Sequence, residues 1–263
     1  MNHATPPLAD RYEQDAQVEL AAWRARIVSG PNLWDRTTRG VQQRINRAIP
    51  EKVHTVITAT IEQMTRGILS GSGLTTPAPL LGASLAQREA KVLEKIALYR
   101  TTATAEGGVA GAGGFLMAAA DFPVLISLKI KLLFDIAALY GHSGKDFRER
   151  LYILAIFQLA FSSPVHRKEV FATMAAWDAR EVGTLDQFDW RRFQQEYRDY
   201  IDLAKMAQML PLIGAPVGMI VNYRLLDRLG ETAISAYRMR WFEGREPSLQ
   251  AGTQTEIDET RSA

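Results

Sequence analysis

Apolar residues recur at helical spacing along most of the chain. Between positions 53 and 68 they stand three or four residues apart, at Val53, Val56, Ile57, Ile61, Met64 and Ile68. This spacing places them on one face of an α-helix. No segment shows the strict apolar and polar alternation that is typical of a half-buried β-strand. The pattern therefore predicts an all-α fold.

The apolar stripes and their breaks predict about eight to ten helices in one compact domain. The predicted helices cover residues 10–28, 33–48, 50–70, 84–104, 122–140, 147–161, 165–180, 190–210 and 217–242. A connector rich in Gly, Pro, Ser and Thr, residues 71–82, is the candidate for an internal boundary or lid. We predict a flexible tail at residues 1–9, a helical domain at 10–243 and a disordered tail at 244–263.

A glycine-rich stretch, from Glu106 to Gly114, precedes the most apolar predicted helix. A phosphate-binding loop is one interpretation, but the Gly-Lys-Ser/Thr ending and the preceding strand of the nucleotide fingerprints are missing. Close helix packing is the other, because Gly107 and Gly111 share a helix face and Gly114 lies near it. Gly214 and Gly218 repeat this spacing. We favour helices packed through glycine faces at the centre of the fold.

Asp121 precedes the predicted helix over residues 122–140 and has two interpretations. Because Pro123 suits a first helical turn, Asp121 is a candidate N-cap, and Gly141 is the corresponding C-cap. Alternatively, Asp121 is a carboxylate with a raised pKa in an apolar pocket. Lys131 and Asp135 are four residues apart, so they can pair on one face of that helix. We predict a candidate pocket or packing site comprising Asp121, Lys131, Asp135, Gly111, Gly114, Gly214, Gly218 and Asn222.

Basic residues close to apolar helices suggest a second kind of site, a contact surface for a membrane. A group of them could meet anionic head groups at a membrane surface, namely Lys129, Lys131, Arg224, Arg228 and Arg238. A solvated helix face is the simpler interpretation for each residue taken alone. No uninterrupted run of about 20 apolar residues is present, so buried helices explain the apolar segments better than membrane spans do. Shallow insertion into a bilayer stays open.

The composition of the chain argues against several classes of function. The chain has no cysteine, which removes disulfides, thiol chemistry and zinc–thiolate sites. A formal net charge of +2 does not favour nucleic-acid binding. His166 and Glu169 stand one turn apart, but two ligands are too few for a metal site, and we expect an exposed helix start there. No cofactor motif and no Gly-x-Ser-x-Gly elbow is present. The N-terminus lacks a secretory pattern, so we expect a cytoplasmic protein.

The glycine segment, Asp121-Phe-Pro123, the sequence Ile136–Gly141 and the segment Leu210–Arg240 resemble the EcsC family of bacterial proteins. The likeness covers about residues 10–242. The family is named for a protein encoded beside the two components of an ABC transporter. The resemblance implies a bacterial source and a link to membrane transport or envelope processes, with no established activity and no catalytic residues to carry over.

Three functions remain open at this stage. The first is a non-enzymatic accessory protein that touches the membrane surface, or a membrane protein such as a transporter. The second is an enzyme or small-ligand protein with a pocket near Asp121 and Lys131. The third and weakest is a hydrolase that uses an unrecognised serine.

Overall fold

The computed structural model describes residues 8–29, 59, 61–68, 77–112, 122–175, 177–178 and 214–243. These residues form six long helices and a short helical segment at 61–68, and they contain no β-strand. The helices are α1 (Leu8–Val28), α2 (Leu85–Ala112), α3 (Phe122–Leu139), α4 (Phe147–Phe161), α5 (Pro164–Met174) and α6 (Gly214–Glu243). The prediction of an all-α, single-domain protein is confirmed.

Helices α2 and α6 form the centre of the fold and make its most extensive helix pairing. At Gly230 the side chain of Ile96 packs against the backbone of α6, since a Cβ placed there would lie 2.5 Å from Cδ1 of Ile96. Helix α3 packs on α2, and α1 lies across both α2 and α6. The helices that carry the two predicted glycine strips therefore pack against each other.

Helix α4 is the most deeply buried element. Apart from its first turn and Gln158, its side chains are buried, including Tyr152, Phe157 and Phe161. Its second half is apolar on all sides, which fits this complete burial. Within the described segments, no helix combines the length and the apolarity needed to cross a bilayer.

Three helix ends are capped by hydrogen bonds, and one of them is the predicted C-cap at Gly141. Ser84 and Gln87 exchange side-chain to backbone hydrogen bonds at the start of α2, which is a capping box. The carboxylate of Asp146 accepts the amide of Arg148 at the start of α4 (3.0 Å). Gly141 ends α3 with φ of +94°, and the His142 amide bonds the carbonyl of Ala137, as in a Schellman motif.

Arg88 ties the connector to the end of α3. Its Nη1 donates to the carbonyls of Leu80 (2.6 Å) and Leu139 (2.9 Å), and its Nε donates to that of Ala83 (2.9 Å). The Leu80 amide in turn donates to the Ala138 carbonyl. This part of the predicted lid is therefore bound to the core of the domain.

Several helix bounds differ from the prediction. Helix α2 continues through Gly107 and Gly111 to Ala112, instead of ending near residue 104. Ser163 caps α5, which ends at Met174, six residues before the predicted end at residue 180. The predicted helices at 33–48 and 190–210 and both predicted tails, apart from Leu8 and Ala9 in α1, lie outside the described residues.

Candidate functional site

Two buried carboxylates mark the polar centre of the described structure. Glu89 on α2 is 1% exposed and Glu149 on α4 is 3% exposed. A buried carboxylate is costly unless it is paired and hydrogen-bonded. Both carboxylates obtain an arginine from α6, in the short sequence Arg238-Met239-Arg240.

Glu89 accepts four hydrogen bonds, two on each oxygen. Arg238 donates through Nε (2.8 Å) and Nη2 (2.7 Å), as a bidentate pair. The hydroxyls of Tyr12 (2.7 Å) and Tyr140 (2.8 Å) supply the other two. The third nitrogen of Arg238 reaches the exposed Glu19 at 2.7 Å. This contact set joins α1, α2, α6 and the end of α3.

Glu149 has a parallel arrangement. It accepts hydrogen bonds from Tyr237 (2.5 Å) and from Nη1 of Arg240 (2.7 Å). The other nitrogens of Arg240 hold both carboxylate oxygens of Asp178 at 2.9 Å. The Nδ1 of His142 lies 3.6 Å from Glu149. This second set joins α4 and α6 to the turns that follow α3 and α5.

Stacked aromatic rings connect the two carboxylates. The rings of Tyr140 and Tyr237 stack with centroids 5.0 Å apart, and Tyr152 meets Tyr237 edge-on at 5.5 Å. Burial, followed for Tyr140 and Tyr237 by the adjacent carboxylate, raises the pKa of all three tyrosines well above the usual 10. These hydroxyls are therefore neutral donors at physiological pH.

Charge at the two arginines and at His142 follows from the same contacts. Burial would lower the pKa of Arg238 and Arg240, but their hydrogen bonds to carboxylates outweigh it and raise the pKa. Burial lowers the pKa of His142, against the opposing effect of Glu149. His142 is thus a neutral ring that stacks on Tyr237, with centroids 5.4 Å apart.

The predicted pair on α3 is present. Lys131 bonds Oδ1 of Asp135, and Asp135 is 4% exposed. Oδ2 of Asp135 accepts the hydroxyl of Tyr99 (2.9 Å), and Lys95 lies 3.9 Å away. These contacts lie along the α2–α3 seam. They share no residue with the contacts of the two buried glutamates.

The remaining predicted site residues divide into two groups. Asp121 and Gly114 lie outside the described residues, so the capping role and the pocket near Asp121 and Lys131 stay predictions. The backbones of Gly111, Gly214, Gly218 and Asn222 lie in α2 and α6, whereas their surroundings are outside what the structure describes.

The expectations about three residues are wrong. Lys129 and Arg238, predicted among the head-group contacts, are 5% and 8% exposed. Lys129 lies over the ring of Phe161, and Arg238 is held by the carboxylates described above. His166 is buried instead of exposed, with Nδ1 at 3.2 Å from Glu169. In the described part of the chain, no three His, Asp or Glu side chains are placed to hold a metal ion.

The polar centre was missed from the sequence, although a signal exists. Glu89 stands in the apolar stripe formed by Leu85, Val92 and Ile96, where a leucine or an isoleucine is expected. A charged residue at such a position predicts a buried partner. The partner itself could not be predicted, because it lies 149 residues further along the chain.

A groove of about 710 Å³ lies beside Glu89, between α1, α2 and α6. Its middle is apolar and is formed by Ala22, Trp23, Leu93, Ile96 and Ile234. Its ends carry charged side chains, which are Glu19, Glu89 and Arg238 at one end and Arg26, Arg100, Asp227 and Glu231 at the other. Neither Lys131 nor Asp135 lines this groove.

Comparison with known proteins gives a consistent result. The model of the EcsC protein family matches residues 14–242. Protein EcsC of Bacillus subtilis (strain 168) is 41% identical over 223 residues, covering 84% of this chain and 93% of that protein. Uncharacterized protein YdbA of the same organism is 30% identical over 155 residues, covering 57% of each chain. No solved structure matches.

Proposed function

The chain belongs to the EcsC protein family, and we propose on that premise that it is a non-enzymatic accessory protein. It would be cytoplasmic and bind peripherally at the inner face of the membrane, to lipid or to a membrane protein such as a transporter. The link to membrane transport or envelope processes comes from the family resemblance described in the sequence analysis.

One observation carries the non-enzymatic part of the proposal. Both oxygens of Glu89 are occupied by hydrogen bonds from Arg238, Tyr12 and Tyr140. A general base needs a lone pair directed at its substrate. A carboxylate that is saturated by its own protein instead fixes the helices that supply its donors. The centre of this domain is therefore suited to a rigid scaffold.

The surface at the α2–α3 seam supports peripheral binding. Leu98 and Val124 are 58% and 48% exposed, and the side chains of Lys95 and Lys131 are 45% and 31% exposed. Apolar side chains next to ammonium groups suit an interface with anionic lipid. Arg224, from the predicted head-group set, is also exposed.

Flotation with vesicles of anionic and of neutral lipid tests this proposal. We expect wild-type protein to float with anionic vesicles at low salt and to be released at high salt, because exposed charges are screened. Lys91 is exposed on α2 one turn before Lys95. The double variant Lys91→Gln/Lys95→Gln should float less, whereas Lys145→Gln/Lys168→Gln, with the same loss of charge elsewhere, should float as wild type does.

Fractionation of native cells completes the test. Release from the membrane pellet by salt agrees with a peripheral protein held by charge, and resistance to a carbonate wash points to inserted helices. Protein that stays in the soluble fraction, together with no flotation at low salt, would refute membrane binding.

A further inference from the structure

We propose that the groove between α1, α2 and α6 is a binding site for a single-chain amphiphile whose head group carries both a negative and a positive charge. This proposal goes beyond peripheral membrane binding, because it assigns a ligand to a site within the domain. It rests on the apolar middle of the groove and on the paired charges at its open end.

The groove has the dimensions of a ligand site. Glu89 bonds Arg238 at one end of the groove, and Arg100 bonds Asp227 at the other. Helices α2 and α6 therefore run antiparallel along the groove. Eleven residues of α6 separate those contacts, which is roughly 16 Å of helix. The volume of about 710 Å³ falls within the range of small-molecule pockets.

The outer part of the apolar wall is not covered by the core of the domain. Leu93 is 56% exposed and faces the groove, opposite Ala22 of α1, which is also exposed. Trp23 and Ile96 continue this wall inward and are nearly buried. An exposed leucine set in a concave apolar surface is favourable when a ligand covers it. An extended hydrocarbon chain fits such a surface.

The charges at the open end select the head group. Arg26 bonds Glu231 at 2.9 Å, and Arg100 bonds Asp227 at 2.7 Å. The side chains of Arg26, Glu231 and Asp227 are 63%, 60% and 57% exposed. Exposed ion pairs contribute little stability, so a ligand can take the place of either partner. A phosphate suits the guanidinium groups, and an ammonium suits the carboxylates.

A head group of one sign fits less well. A purely anionic group placed between Arg26 and Arg100 would also meet the carboxylates of Asp227 and Glu231. A purely cationic group would meet the two arginines in the same way. A zwitterionic head satisfies both kinds of partner, because each Arg–carboxylate pair is neutral as a unit.

Calorimetric titration with dodecylphosphocholine below its micelle concentration tests the site. We expect saturable binding with one ligand per chain. Dodecyl maltoside and laurate, which share the chain but not the head group, should bind at least about fivefold more weakly. Since the amphiphile is monomeric and no bilayer is present, the result does not depend on whether the protein binds vesicles.

Leu93→Asp should weaken dodecylphosphocholine binding at least about tenfold, because it places a charge in the apolar wall. Val165→Asp is the matched control, since Val165 is 56% exposed, as Leu93 is, but lies on α5 and does not line the groove. Ala22→Trp should block the groove without a new charge, which covers the case in which Leu93→Asp does not fold.

Three results would overturn the proposal. The first is no saturable binding of dodecylphosphocholine, and the second is an equal effect of Leu93→Asp and Val165→Asp in folded protein. The third is binding of dodecyl maltoside as tight as that of dodecylphosphocholine, which would remove the assignment of the head group.

Discussion

Replacement of Arg238 by methionine isolates the contribution of the buried ion pair at Glu89. The substitution keeps much of the apolar stem but removes two hydrogen bonds, of 2.8 and 2.7 Å, from a carboxylate that is 1% exposed. Removing one partner of a buried pair costs about 3–5 kcal/mol. Since Tyr12 and Tyr140 still donate to Glu89, we expect about 3 kcal/mol, the lower end of that range.

The matched control is Arg26→Met, which removes an exposed ion pair held by one hydrogen bond of 2.9 Å to Glu231. Pairs of this kind contribute about 0–1 kcal/mol. Urea unfolding followed by circular dichroism gives both free energies of unfolding. The double variant Glu89→Gln/Arg238→Met should be more stable than Arg238→Met alone, because no unpaired charge is then buried. Equal losses for Arg238→Met and Arg26→Met would refute the reasoning.

Three further predictions follow from single contacts. Because burial lowers the pKa of His142, the unfolded chain binds a proton there below about pH 6.5 and the native state does not, so stability falls on acidification. His142→Gln should reduce this fall in melting temperature between about pH 6.5 and 5, and an unchanged slope would contradict it. Gly230→Ala should cost about 1–2 kcal/mol, because overpacking against Ile96 exceeds the gain in helix propensity. Ile96→Val should recover part of this loss in chemical unfolding. Burial and the hydrogen bond to Glu89 raise the pKa of Tyr12 to about 12, so the stabilising contribution of Tyr12 is complete below about pH 10 and declines as the pH rises toward 12. Tyr12→Phe should lose about 1.5 kcal/mol at pH 7 and flatten the decline in stability above about pH 10. For this variant, an alkaline unfolding profile that parallels the wild-type profile would be the contrary result.

Local features of this fold can be predicted from the sequence, because their partners lie within one or two turns. The caps at Ser84, Asp146 and Gly141 depend on neighbouring residues alone. The pair of Lys131 and Asp135 depends on helical spacing. The predicted C-cap at Gly141 and the predicted pair of Lys131 and Asp135 are both confirmed.

The polar centre could not be predicted in the same way. Glu149 meets Arg240 across 91 residues, and that pairing depends on how α4 and α6 pack. The close approach at Gly230 was missed as well, since a single glycine within a charged segment has no periodicity to mark it. The groove depends on the placement of three helices, which the sequence does not show. Leu93, an apolar residue at an exposed position, is its one local signal.

The two buried glutamates and their arginines lie far apart in the sequence, and this distance has a consequence for biosynthesis. A ribosome releases the segment with Glu89 and Glu149 well before it reaches α6, which supplies both guanidinium groups. Until then, the nascent chain holds two carboxylates that cannot enter a core without a large desolvation penalty. Helices α2 to α4 are therefore expected to remain loosely packed during translation. Native packing should follow in one late step when the last helix emerges, which makes folding of this domain post-translational in character.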